Sequence, residues 1–157
     1  MLSDVIAQAW SIPRSKLSEK VVKLLQVVDN EHDSNLLQSF INLCWTRHSN
    51  AAIQGLQESL REYVLQKNAH ETQVCISEII LIDQQYAEAY SKRAAINFSL
   101  NDITSAMVDI ERAVSIDPYH YGAWCTKGIV INNIRQVIMI LIFIITIRYD
   151  GNEIIII

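Results

Sequence analysis

Residues 87–120 read AEAYSKRAAINFSLNDITSAMVDIERAVSIDPYH. Tyr90, Ala94 and Phe98 recur at i, i+4 and i+8, which places them on one face of a helix. Asn101-Asp102 follows and supplies a turn and a helix start, since both side chains can accept from nearby backbone N–H groups. The second half puts Ala106, Ile110, Ala113 and Val114 on one face of a second helix. Asp117-Pro118 ends it, because proline disfavours helical backbone in the residue before it and has no N–H to extend the ladder. Ala94, Ala106 and Ala113 are small, so two antiparallel helices can approach closely where a leucine would hold them apart.

This 34-residue unit repeats. Shifted forward by one unit, Ala89 falls on Ala123, Tyr90 on Trp124 and Ala94 on Gly128. Shifted back, Tyr90 falls on Leu56, Ala94 on Leu60, Ala113 on Ile79, Ile116 on Ile82 and Asp117 on Asp83. A fixed period of this length is the mark of a stacked helical solenoid.

These residues resemble the tetratricopeptide repeat (TPR) family. Its pattern is an aromatic, a small residue four on, two small residues seven apart on the second helix, then a proline. Tyr90, Ala94, Ala106, Ala113 and Pro118 fit each position. The unit before, 53–86, is degenerate, with Leu60, Thr72 and Ile79 at the small positions and Gln84 in place of proline. The unit after, 121–133, keeps Ala123, Trp124 and Gly128, then loses the pattern after about Asn133. The run RAAINF…DIERA…DPYHYGA also looks like that of small bacterial-type and organelle-type TPR proteins, a group that brings no defined activity with it. The resemblance implies an all-α solenoid of TPR-like helical hairpins, capped by N-terminal helices in 1–50; the irregular Ile-rich tail in 134–157 departs from its pattern.

For function, the resemblance implies an interaction scaffold with a concave groove lined by the first helix of each unit. Such grooves take an extended peptide or a helix from a partner. The groove positions would be Glu88, Ser91, Lys92, Ala95 and Phe98 on the clear unit, with Gln57 and Arg61 on the unit before. The alternative for each is a solvated helix face. The family's carboxylate clamp for chaperone C-termini is absent, since its positions hold Gln57, Arg61, Ser91, Ala95, Gly122, Cys125 and Thr126. Arg61 and Lys92 remain as weaker contacts for an acidic peptide.

Composition narrows the remaining classes. Half of the 157 residues are apolar, and only four glycines and two prolines argue for helices over a turn-rich β fold. The net charge of −4 gives no support to nucleic-acid binding. Cys44, Cys75 and Cys125 form no CxxC and no metal spacing, and suit a reducing compartment. His32 lies in the polar stretch DNEHDS (29–34) and reads as part of a solvated loop. His70-Glu71 begins a zincin-like motif that no second histidine completes. Asn97-Phe98-Ser99 matches a glycosylation sequon inside an expected helix, a chance match. No glycine-rich loop, nucleophile elbow or paired-acid constellation appears. The expectation is a binding module, not an enzyme, with no cofactor and no metal, whose partner is a protein or peptide.

The N-terminal region reads as three amphipathic helices, 1–10, 17–28 and 36–45. No basic leader precedes the first, which argues against a secretory signal. Arg14 and Lys16 hint at organelle import, but Asp4 and Glu19 count against it, so the cytoplasm is the expected location. At the other end Val137 to Ile147 reads VIMILIFIITI, and four isoleucines close the chain. Three readings compete. One is a membrane tail anchor, although the unbroken run of eleven residues is short of the roughly 17–25 that a span needs. The second is a β-hairpin turning at Asp150-Gly151, with sticky edges that invite self-association. The third is a stretch outside the repeat design, from a shifted or truncated reading frame, with the array running on past Asn133.

Overall fold

The computed structural model describes residues 45–149 continuously, with Glu19, Lys23, Asn35 and Phe40 as isolated positions, and side chains as far as Ile144. The expected N-terminal helices therefore lie largely outside the described residues, as do the Asp150-Gly151 turn and the closing isoleucines. Five helices follow in order among the described residues: α1 (Ala51–Leu65), α2 (Ala69–Ile82), α3 (Ala87–Ser99), α4 (Ile103–Ile116) and α5 (Tyr121–Tyr149).

Local chemistry sets most of these boundaries. Asn50, Asn68 and Asp102 each turn a side-chain oxygen onto a first-turn N–H, of Ala52 at 2.8 Å, Glu71 at 3.3 Å and Ser105 at 3.0 Å. These bonds satisfy donors that a helix start leaves orphaned. Lys67 and Asn101, in the turns α1–α2 and α3–α4, take left-handed backbone with φ of 55° and 63°. Asp83 and Asp117, one period apart, end α2 and α4 in extended conformation. Each folds its carboxylate onto the N–H two residues on, of Gln85 at 2.8 Å and Tyr119 at 3.0 Å. The repeat is thus built into the turns as well as the helices. Gln84 does this without the proline that its counterpart Pro118 supplies.

The helices pair as α1–α2 and α3–α4, and α5 packs on the second pair. Ala94, Ala106, Ile110 and Ala113 are completely buried, so the small residues set the close approach of α3 and α4 as expected. Ile53, Ile76 and Ile79 fill the junction of the first pair with α3. Each such side chain, fully buried, contributes about 1.5–3 kcal/mol. The degenerate unit keeps Leu60 and Thr72 in the core, the threonine hydroxyl donating to the Asn68 carbonyl at 2.6 Å.

α5 begins as a repeat helix. Ala123 and Val130 are fully buried against the hairpin before it. It then runs on through residues 137–147, where the hairpin reading expects a strand. That local reading is corrected: β-branched residues favour strands, but their helix penalty is only tenths of a kcal/mol per residue. Extending a helix already nucleated at Tyr121 adds a hydrogen bond per residue without a new nucleus. The helix reaches 29 residues, about 44 Å. The tail departs from the repeat in its sequence pattern, while its backbone stays helical as far as Tyr149.

Candidate functional site

The expected groove residues fall into two groups. Arg61 and Ala95 are exposed, and Lys92 and Phe98 are partly so. Lys92 is held at 2.9 Å from Glu88, one turn back. Phe98 rests its ring against the buried Ala94, Ile110 and Val130. Gln57, Glu88 and Ser91 have their side chains engaged within the fold. Both amide hydrogens of Gln57 are used, on the Thr46 carbonyl and the Tyr86 hydroxyl, each at 2.6 Å. Ser91 is buried against the start of α5, so close that a Cβ on Gly122 would stand 3.3 Å from its Oγ.

Glu88 sits at the joint between α3 and α5. One carboxylate oxygen faces Lys92 and the other lies 3.0 Å from Nε2 of the buried His120. His120 Nδ1 accepts the Ala123 N–H at 3.1 Å, which places the proton of a neutral ring on Nε2. Nε2 does not meet hydrogen-bond geometry toward Glu88, so the contact is the close approach of a polar N–H to the carboxylate. Burial alone would raise the Glu88 carboxyl, but His120 and Lys92 outweigh it and hold the group below the ordinary carboxylate range.

A second feature was not legible in the sequence. A cleft of about 320 Å³ opens at the loop ends of the hairpins, lined by Trp45, Tyr86, Ile116 and the carboxylates of Asp83, Glu88 and Asp117 among others. The segment before α1 reaches across it. The Trp45 ring lies 6.3 Å from Tyr121 in a parallel stack and 5.0 Å from His120, and its Nε1–H donates to Asp117 at 3.1 Å. Tyr86 shares its hydroxyl proton between the carbonyls of Thr46 at 2.9 Å and Trp45 at 3.1 Å. His48 meets Asp83 at 2.8 Å and the edge of Tyr86 at 5.0 Å. One clue was available: Asp83 and Tyr86 recur as Asp117 and His120 one period later. No local pattern marks Trp45, whose partner lies 72 residues away.

The site offers little for covalent chemistry. Cys75 is buried, donates to the Leu56 carbonyl at 3.1 Å, and has its thiol pushed up by burial, with the Glu78 charge adding to it. That disfavours the thiolate a nucleophile needs. No group of three metal-ligating side chains occurs among the described residues.

Two complete helical hairpins, related by a 34-residue period and followed by a third first-helix, make this an all-α helical solenoid with a TPR-like fold. No family model matches the chain, and no solved structure matches it. It is similar to a TPR repeat-containing protein of Rhizobium etli, with 26% identity over 125 residues. The match takes in 80% of this chain and 61% of the relative, so the chain spans about three fifths of that protein's length.

Proposed function

We propose that the protein is an interaction scaffold that binds a peptide or helix of a partner protein along the exposed first-helix face of the repeats. The observation that carries this reading is the open surface of Arg61 on α1 and of Ala95, with Lys92 beside it, on α3. Gln57, Glu88 and Ser91 serve it from beneath by fixing the helices that present those residues. The cations at Arg61 and Lys92 favour a partner segment with acidic character. The module works without cofactor or metal, and the cytoplasm is its place of work. A photoreactive amino acid at Ala95 or Arg61 of the full chain tests this, with Val108 on the exposed side of α4 as control. A discrete protein adduct from the first two positions and none from the third is expected. Equal labelling from all three would contradict it.

A second reading is a membrane-tethered adaptor, favoured by α5. Tyr121–Ile144 is long and apolar enough to cross a membrane by length and composition, and within it only Ala123 and Val130 are buried. Its first turns are packed on the hairpin, which leaves residues 131–149 to insert. Residues 137–149, beyond the polar positions, extend about 20 Å, enough to enter the bilayer core of roughly 30 Å though not to cross all of it. Asn132, Asn133, Arg135 and Gln136 would lie at the headgroup end, where polar groups and a snorkelling arginine are solvated. Carbonate-resistant pelleting of the full chain, but not of a chain ending at Asn133, is the expected result. Soluble behaviour of both would contradict the tether.

A further inference from the structure

The period lays α5 on α3 residue by residue, and one face does not match in burial. Ala89 and Ile96 of α3 pack back on the first hairpin, and their counterparts Ala123 and Val130 do the same on the second. Tyr90, Ala94 and Asn97 of α3 face α4 and are 8%, 0% and 7% exposed. Their counterparts on α5 are Trp124 and Ile131, 48% and 49% exposed, and Gly128, where an added Cβ would meet nothing within 4 Å. The surface that a second helix covers in the complete unit is open in the last one.

We propose that this face of α5 is a docking site for one amphipathic helix of a partner protein, seated on α5 as α4 is seated on α3. The open face continues the α3–α4 interface, and that interface defines the occupant. α4 meets α3 through Ala106, Ile110 and Ala113, all fully buried, so the occupant presents two small residues seven apart with an aliphatic residue between them. At one level it differs. Asp109 of α4 is held by Arg93 and Asn97. On α5 the counterpart of Asn97 is Ile131, and that of Arg93 is Lys127, which pairs with Glu111 at 2.6 Å. A carboxylate would lack its partners there, so the occupant carries an apolar residue at that level.

A second copy of this chain fits less well. The matching face of its α4 is already buried under its own α3. Its α5 has no glycine, alanine or serine from Ile129 to Tyr149 to allow close approach. A bilayer fits less well too, because Trp124 is tied by its Nε1–H to the Pro118 carbonyl at 2.8 Å, among the polar turns of the folded hairpin. The proposal stands apart from the groove reading, which uses other faces of α1 and α3.

The probe is a fluorescein-labelled peptide of residues 101–118 carrying Asp109→Leu, titrated with the full chain and read by anisotropy. Saturable binding is expected. Gly128→Leu in the chain, which places a side chain into open space, weakens it by about tenfold or more, as does Ala113→Leu in the peptide. The absence of saturable binding, or binding that both substitutions leave unchanged, overturns the proposal. So does a concentration-dependent dimer of the chain that Gly128→Leu dissociates, which would give the face to a second copy. Shielding of Trp124 from an aqueous quencher by phosphatidylcholine–phosphatidylserine vesicles, with no binding of the peptide, would give it to the bilayer and overturns the proposal equally.

Discussion

Asp109 accepts two hydrogen bonds from the Arg93 guanidinium, at 2.8 and 2.7 Å, and a third from Asn97 at 3.1 Å. Asn97 in turn accepts from Gln73 at 2.8 Å, so one buried carboxylate links α2, α3 and α4. Arg93 also lies over the Tyr90 ring at 5.6 Å, with Arg112 at 5.8 Å. Asp109→Ala leaves a partly buried guanidinium and a buried amide without their acceptor. The expected loss is about 3 kcal/mol, read as a lower urea midpoint. Replacing Arg93 by methionine in the same chain should recover much of it, since the stranded charge goes too. Glu88 gives a second prediction, of pH dependence. Its folded-state value is depressed, so its contribution is present above the unfolded carboxylate value and is lost as pH falls through the lower folded one. Melting temperatures of the native chain and of Glu88→Gln should therefore converge on acidification below the ordinary carboxylate range. A gap that stays constant from neutral to acid pH would count against the Glu88–Lys92–His120 assembly.

At the scale of elements, the turns carry the most local information. Asn101 and Lys67 both hold left-handed backbone, which asparagine tolerates and lysine does not. Lys67→Gly should raise stability by about 1 kcal/mol, while Asn101→Gly should change it little; urea unfolding of the two variants checks both. The hairpin 87–120 was legible because its signals agree: a 3.6-residue apolar period, an aspartate cap at Asp102, small residues at the crossing and a proline stop. The continuation of α5 was not. Its isoleucines read as strand one by one, and the deciding fact, a helix already started at Tyr121, lies upstream. Gln57 was assigned to the groove by repeat position, and nothing near it in sequence reveals that Tyr86 and Thr46 engage its amide. Trp45 is hidden for the same reason, since its partners Asp117, His120 and Tyr121 are adjacent only once two hairpins have stacked.

For the whole molecule, the period of 34 residues governs which faces are used up and which are offered. α3 turns one face back onto the unit before it and a second onto its partner helix α4, and α5 repeats only the first of these. That rule accounts for the burial of Ala94 under α4 and for the openness of Gly128 at the same position of the last unit. It also explains why the chain joins a compact pair of hairpins to a long apolar helix whose outer residues, Val137 to Ile144, are each about half exposed or more. The most direct test of this architecture is equilibrium urea unfolding of two matched variants, Ala94→Leu and Gly128→Leu. Leucine at 94 has to force α3 and α4 apart, and should cost about 1–3 kcal/mol or more. Leucine at 128 enters open space and replaces a poor helix former, so stability should hold or rise by up to about 1 kcal/mol. Equal losses at the two positions would mean that Gly128 is covered as Ala94 is, and would contradict the account of an array whose last unit is open.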